Sequence, residues 1–157
     1  MLARSLKDPA AITDAPISDL EEFVGYNLKR AYMIVQDDFR AALGEDDLSP
    51  RVFAALSLVV QFPNITQSEL ARTLGIERSG LVAMTDELEN RKYVKRAAVP
   101  GDRRVQALVP LEKGREAYKN ALEKVKAHEE ALLKDLTESE HVALLSVLKK
   151  IRKIEGK

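Results

Sequence analysis

Apolar side chains recur every three or four residues through most of the chain, and this spacing predicts amphipathic helices. The first predicted helix opens at Ser18-Asp19 and ends at Gly44. Its apolar stripe consists of Leu20, Phe23, Val24, Leu28, Ala31, Val35 and Phe39. A second helix is predicted from Ser49-Pro50 to Phe62, because serine caps a helix N-terminus and proline fits the first turn.

The C-terminal third of the chain predicts two more helices. The first covers residues 111–136, and Pro110 is expected at its first turn, where proline is tolerated. The second begins at Thr137, which forms a capping box with Glu140. Both helices carry apolar residues along one side and charged residues along the other.

Residues 66–104 contain the most informative pattern. Thr66 with Glu69 is a capping box, and Gly75 stands where a helix C-terminus favours positive φ. The second amphipathic run follows after two residues, and its inward-facing stripe is Leu81, Met84, Thr85 and Leu88. Two short helices joined by a tight glycine turn predict a helix-turn-helix.

A hairpin is predicted directly after the second of these helices. Residues 93–99 and 105–109 are rich in strand-forming residues and flank the turn sequence Pro100-Gly101-Asp102-Arg103-Arg104. The predicted fold is therefore mainly α with a small β-hairpin wing (α+β), a winged helix-turn-helix between long N- and C-terminal helices. Such a fold suits duplex DNA.

These residues resemble the MarR family of winged-helix transcriptional regulators. The resemblance covers residues 17–155, and its most specific part is the Asp-x-Arg signature of Asp102 and Arg104 in the wing. It also rests on Thr-Gln-Ser-Glu-Leu-Ala, Leu-Gly-Ile-Glu-Arg-Ser, Leu-Glu-Asn-Arg-Lys-Tyr-Val and Glu-Lys-Gly. Gly80 departs from the family pattern, which carries a small side chain there.

The charge distribution fits DNA binding although the net charge is zero. Residues 1–50 carry a net charge of −5, whereas residues 91–104 carry +5. A local basic patch on the wing is what a phosphate backbone would meet. The alternative is that this charge run is only a solvated face.

Positions on the predicted helices assign the DNA contacts. Arg78 is expected to contact a guanine, Ser79 a base edge or phosphate, and Val82 or Ala83 a thymine methyl. Gly80 would let the backbone approach DNA, and Thr66, Gln67 and Ser68 would face phosphate at a helix N-terminus. Arg103 or Arg104 is expected in the minor groove, with Asp102 orienting its neighbour.

The organisation along the chain predicts a homodimer. Residues 1–16 are expected to form a flexible arm, 17–48 and 111–157 to form dimerisation helices, and 49–110 to form the DNA-binding domain. The long helices carry more apolar surface than a compact winged helix needs, so a second copy is the simplest partner. Two recognition helices would then lie about 34–36 Å apart on a pseudo-palindromic operator. The alternative is a helical bundle within one chain.

The resemblance also implies a small-molecule effector. Related regulators are released from DNA by small aromatic or phenolic anions or their thioesters. The residues expected to bind such a ligand are Tyr26, Asn27, Arg30, Arg51 and Phe53. The alternative is that these aromatic residues belong to the core.

Other classes of function have little support in the sequence. The chain has no cysteine, which removes disulfides and thiol-based redox sensing, and its two histidines, His128 and His141, lie on different predicted helices. No metal site, cofactor or catalytic motif is predicted, so the chain is not expected to be an enzyme. Without a signal peptide or an apolar span, it is expected in the cytoplasm. The remaining alternative function is a winged-helix protein-interaction module that does not bind DNA.

Overall fold

The computed structural model describes residues 19–44 and 48–153. The chain divides into two compact units, Met1–Val35 and Gln36–Lys157. The predicted arm, residues 1–16, and the predicted helix start at Ser18 lie outside the described residues. None of the helices within the described ranges has an apolar stretch of the length needed to span a bilayer.

The first long helix begins later than its apolar pattern predicts. A 3₁₀ turn covers Asp19–Glu22, and helix α1 then covers Val24–Leu43. The cause is local, because the Asn27 side-chain amide donates to the carbonyl oxygens of Glu21 and Phe23, at 2.7 and 3.0 Å. At the other end, the predicted stop at Gly44 is confirmed, with φ of +87° and its N–H donated to the Arg40 carbonyl.

The second unit contains the winged helix. Its helices are α2 (Pro50–Gln61), α3 (Gln67–Leu74), α4 (Arg78–Asn90), α5 (Glu112–Leu132) and α6 (Glu138–Arg152). Its strands are β1 (Ile65–Thr66), β2 (Val94–Val99) and β3 (Asp102–Pro110), which form an antiparallel sheet in the order β1-β3-β2. The predicted fold class is confirmed, and β1 is an addition that the hairpin pattern did not predict.

The core lies where α2, α3 and α4 meet the sheet. The predicted stripe of α4 is buried, with Leu81 and Leu88 fully inaccessible and Met84 only 7% exposed. Thr85 is also fully buried, and its hydroxyl donates to backbone carbonyls of its own helix. The stripe therefore holds α4 by one face and leaves its opposite face outward.

The wing turn is shorter than predicted. Only Pro100 and Gly101 connect the strands, since Val99 already pairs with Asp102, and Gly101 has φ of +88°. Proline followed by a positive-φ glycine suits a two-residue turn. As a consequence, Asp102 to Arg104 belong to β3 rather than to the turn.

The predicted position of Pro110 in a helical turn is wrong. Pro110 is the last residue of β3 and pairs with Val94, while Leu111 is the N-cap of α5. The Leu111 N–H donates to the Tyr93 carbonyl, so the chain leaves the sheet only after the proline. Next to this bond, a Cβ added to Gly114 would lie 2.1 Å from the Tyr93 carbonyl oxygen, so α5 and the base of the wing require glycine there.

Candidate nucleic-acid interface

The N-terminus of α3 is held by the predicted capping box. The Glu69 N–H donates to the Thr66 hydroxyl at 3.2 Å, and Glu69 Oε2 accepts from the Thr66 N–H at 2.9 Å and from its hydroxyl at 2.7 Å. The hydrogen bond from the Thr66 backbone N–H lowers the pKa of Glu69. The Thr66 hydroxyl is therefore engaged in the cap, whereas Gln67 and Ser68 begin the helix beside it.

Helix α4 presents its predicted outward face to solvent. Arg78, Ser79, Val82 and Ala83 are exposed, and Gly80 is half-buried. Glu77 is the N-cap, but its side chain makes no capping hydrogen bond. A Cβ added to Gly80 would lie 3.9 Å from the guanidinium of Arg51, which is an ordinary contact distance.

The wing carries its two arginines on opposite faces of β3, because successive strand residues alternate. Asp102 Oδ1 accepts a hydrogen bond from the Arg104 backbone N–H at 2.9 Å, which fixes the backbone before Arg104. Both arginine side chains are exposed. Neither forms an ion pair with any residue in the described ranges.

One small concavity joins the three elements that carry the predicted DNA contacts. It has a volume of about 140 Å³ and is lined by Gln67 and Ser68 of α3, Arg78 of α4, and Arg104, Val105 and Gln106 of β3. The two arginines therefore flank a single depression beside the start of α3. Sequence reasoning missed Gln106, although the two-residue strand period from Arg104 places it on the same face.

The basic patch is smaller than the charge count of residues 91–104. Arg96 pairs with Asp86 and Glu89 of α4 and donates to the Thr85 hydroxyl. The hydrogen bond to Asp86 raises the pKa of Arg96, and the ion pairs tether β2 of the wing to α4. Arg91 pairs with Glu87 at 2.9 Å. Lys92, Lys95, Arg103 and Arg104 form no ion pair within the described part of the chain.

Three of the predicted ligand-binding residues lie in the first unit. Arg30 Nη1 donates to the Tyr26 hydroxyl at 2.9 Å, and the guanidinium carbon lies 5.8 Å from the ring centroid. This pair presents a cation beside a phenol on one face of α1. Asn27 uses its amide to hold the preceding 3₁₀ turn.

The other two predicted ligand-binding residues, in the second unit, have different surroundings. The Arg51 guanidinium lies beside Gly80, as described above. Phe53 instead stacks on Tyr118 at 5.9 Å and contacts Phe39 at 5.8 Å between ring centroids. Residues two apart on a helix point in different directions, so these two side chains do not line one site.

The histidines have ordinary surroundings. His128 packs edge-on against Phe39, with 5.9 Å between ring centroids. Within the described ranges, no group of three metal-ligating side chains comes together. The aromatic cluster of Phe39, Phe53, Tyr118 and His128 instead joins α1, α2 and α5.

Known proteins share this fold and much of this sequence. The sequence profile of the MarR family matches residues 46–105. A structure of the transcriptional repressor CouR, bound to a 23-mer DNA duplex, is 38% identical with a TM-score of 0.84, and the match covers 89% of this chain and 99% of that one. The chain belongs to the MarR family. This confirms the resemblance drawn from the sequence motifs.

Two further relatives are also named as transcriptional repressors. A structure of CouR bound to p-coumaroyl-CoA is 36% identical, covers 87% of this chain and 96% of that chain, and has a TM-score of 0.78. The HTH-type transcriptional repressor NicR of Pseudomonas putida is 23% identical over 151 residues, which is 96% of this chain and 95% of that protein. MarR family regulators are non-enzymatic DNA-binding proteins, so the expectation that the chain is not an enzyme is confirmed. The chain is a transcriptional regulator of the MarR type.

Proposed function

We propose that this MarR family regulator represses transcription as a homodimer bound to a pseudo-palindromic operator, and that an aromatic acyl thioester or the corresponding acid releases it. The winged helix of residues 49–110 would bind the operator. Residues 17–48 and 111–157 would hold the two protomers together.

The observation that carries DNA binding is the concavity flanked by Arg78 and Arg104. The outward face of α4 is the helix that would enter a major groove about 12 Å wide, with Arg78 at its N-terminal end. Arg104 would reach the adjacent minor groove, whose negative potential attracts arginine. Gln67 and Ser68 line the same concavity and are suited to phosphate contacts. The structure of CouR on a DNA duplex, 38% identical to this chain, supports binding to duplex DNA.

Exposed apolar side chains support the homodimer. On the part of α1 in the first unit, Tyr32 is 62% exposed and Met33 52%. On α6, Val142 is 62% exposed and Val147 51%. Helices with such surface gain free energy by burying it against a partner, and a second copy offers the same faces by symmetry.

The effector class follows from the Arg30 and Tyr26 pair and from one relative. Arg30 beside a phenol offers a cation and an aromatic surface, which suit an aromatic acid or its thioester. A CouR structure with p-coumaroyl-CoA bound, 36% identical to this chain, supports the same class.

The experiment that tests this function is selection of bound duplexes from a random pool with the purified protein. We expect enrichment of an inverted repeat with half-sites about one helical turn apart. Adding p-coumaroyl-CoA during selection should reduce recovery of the repeat. A protein-interaction module would enrich no sequence at any salt concentration, and that outcome would refute the proposal.

A further inference from the structure

Arg51 lies outside the helices that the sequence assigned to DNA, yet it reaches them. It is the second residue of α2 and its side chain is exposed. A Cβ on Gly80 would lie 3.9 Å from Arg51 Nη2, which places the guanidinium against the third residue of α4. Arg51 therefore adds a cation beside the helix that we propose enters the major groove.

Gly80 is the residue of α4 that lies beside Arg51. Gly80 stands between exposed Ser79 and buried Leu81, at the edge of the outward face of α4. A Cβ at Gly80 would only come into ordinary contact with the Arg51 guanidinium, so the two residues are close neighbours across α2 and α4. Arg51 therefore brings a charged donor from α2 to the first turn of α4.

The other arginines that reach α4 are paired with its carboxylates. Arg91 pairs with Glu87, and Arg96 pairs with Asp86 and Glu89. Arg51 forms no ion pair with any residue that the structure describes. Arg96 thus already tethers α4 to β2, whereas Arg51 is exposed and has no carboxylate partner in the described part of the chain.

We propose that Arg51 binds a backbone phosphate of the operator beside the first turn of α4. This rests on the proposed function, since it assumes that α4 faces the duplex. The planar guanidinium offers paired N–H donors that match phosphate oxygens. Because Arg51 comes from α2, which packs against α4, and not from the outward face of α4 itself, the contact assigned to it is with the backbone that flanks the groove and carries no base preference.

The test is a salt series of operator titrations, by fluorescence anisotropy, with Arg51→Gln, Arg51→Lys and the wild type. Each phosphate contact contributes about −0.9 to the slope of log affinity against log salt. Arg51→Gln should reduce that slope by about 0.9 per protomer engaged and weaken binding on the order of tenfold at moderate salt. Arg51→Lys should keep the slope because it keeps the charge.

Arg72→Gln is the matched control. Arg72 is also exposed, but it lines a different depression, with Phe62 and Asn64 at the far end of α2. Arg72→Gln removes the same charge from the same domain, but from this other depression, so it should leave operator affinity and the salt slope unchanged. The thermal unfolding midpoint of each variant should equal that of the wild type, which would establish that only the binding surface was altered.

The outcomes separate this proposal from the proposed function. If the wild type binds no duplex, the proposed function fails. If the wild type binds and Arg51→Gln binds with the same affinity and salt slope as the wild type, only the proposed role of Arg51 is overturned. The same conclusion holds if Arg51→Gln binds DNA like the wild type but no longer responds to p-coumaroyl-CoA. A loss of preference at one base pair would also overturn it, because a phosphate contact reads no sequence.

Discussion

At the scale of single residues, Arg78 and Arg104 flank one depression but are expected to do different work. Arg78 would read a base in the major groove, so Arg78→Ala should cost about 1–3 kcal/mol of binding free energy and relax one operator position. Arg104 would lie in the minor groove, so Arg104→Ala should weaken binding across all operator variants alike. Titrations against a set of single-base operator variants check both effects. Equal losses with no change of base preference for either variant would contradict the assignment.

Gly114 tests the packing of the wing base. A Cβ there would overlap the Tyr93 carbonyl oxygen at 2.1 Å, and both groups belong to backbone segments that cannot rotate away. Gly114→Ala should therefore lower the free energy of unfolding by about 1–3 kcal/mol or more, as overpacking does. Urea unfolding measures this difference.

Gly25→Ala is its control. Gly25 lies in α1, and beyond its chain neighbours and its own helix backbone no atom of the described residues lies within 4 Å of the added Cβ, so alanine should be neutral or slightly stabilising. A Gly114→Ala protein as stable as Gly25→Ala would contradict the close approach of α5 to Tyr93.

Residue types in the sequence predicted which side chains could contact DNA but not which cations are already paired. Arg96 counted toward the basic patch, yet its carboxylate partners lie on α4, ten and seven residues earlier. Gln106 carries no charge, so the basic pattern did not indicate it, although a residue two positions after Arg104 lies on the same face of the strand. The proximity of Arg51 to Gly80 depends on the packing of α2 against α4, which no local sequence pattern predicts.

At the scale of elements, Arg96 joins β2 to α4. Arg96→Gln removes bonds to Asp86, Glu89 and Thr85 and leaves two carboxylates unpaired beside each other. Since the Arg96 side chain is only 25% exposed, this should lower the free energy of unfolding by about 1–2 kcal/mol. Urea unfolding of Arg91→Gln provides the comparison, because its pair with Glu87 is a helical i,i+4 pair worth about 0.3–0.5 kcal/mol. Similar losses for the two variants would show that Arg96 is no tether.

The capping boxes predict how stability depends on pH. Backbone hydrogen bonds from Thr66 and Thr137 lower the pKa values of Glu69 and Glu140 below their ordinary 4.5. A lowered folded-state pKa adds stability that is present above pH 4.5 and is lost as pH falls through the folded-state value. The free energy of unfolding of the wild type, measured with urea, should therefore decrease below about pH 4.5. In the Glu69→Gln, Glu140→Gln double variant it should decrease less over the same pH range. Parallel pH profiles would count against these caps.

Helices with a sustained apolar periodicity or a distinct cap could be predicted from the sequence, whereas strands defined by pairing with a distant strand could not. The caps at Thr66 and Thr137 and the stop at Gly44 follow from local chemistry, and all three are present. β1 has only two residues and exists because Ile65 pairs with Leu108 and Thr66 with Ala107. Pro110 could equally have opened a helix, but its pairing with Val94 kept it in the sheet.

At the scale of the whole molecule, a homodimer would bring two arginine-lined depressions to one operator, one from each protomer. Burying the apolar residues that are exposed on α1 and α6 would favour dimerisation. In such a dimer, each protomer would read one half of the operator with its own depression.

The most direct measurement of this central claim is the stoichiometry and salt dependence of binding to the selected operator, measured together by sedimentation and anisotropy. We expect two protomers per duplex and an affinity that falls steeply with salt, with each phosphate contact adding about 0.9 to the slope of log affinity against log salt. A protein that remains a single protomer and binds every duplex equally weakly, even at low salt, would contradict it.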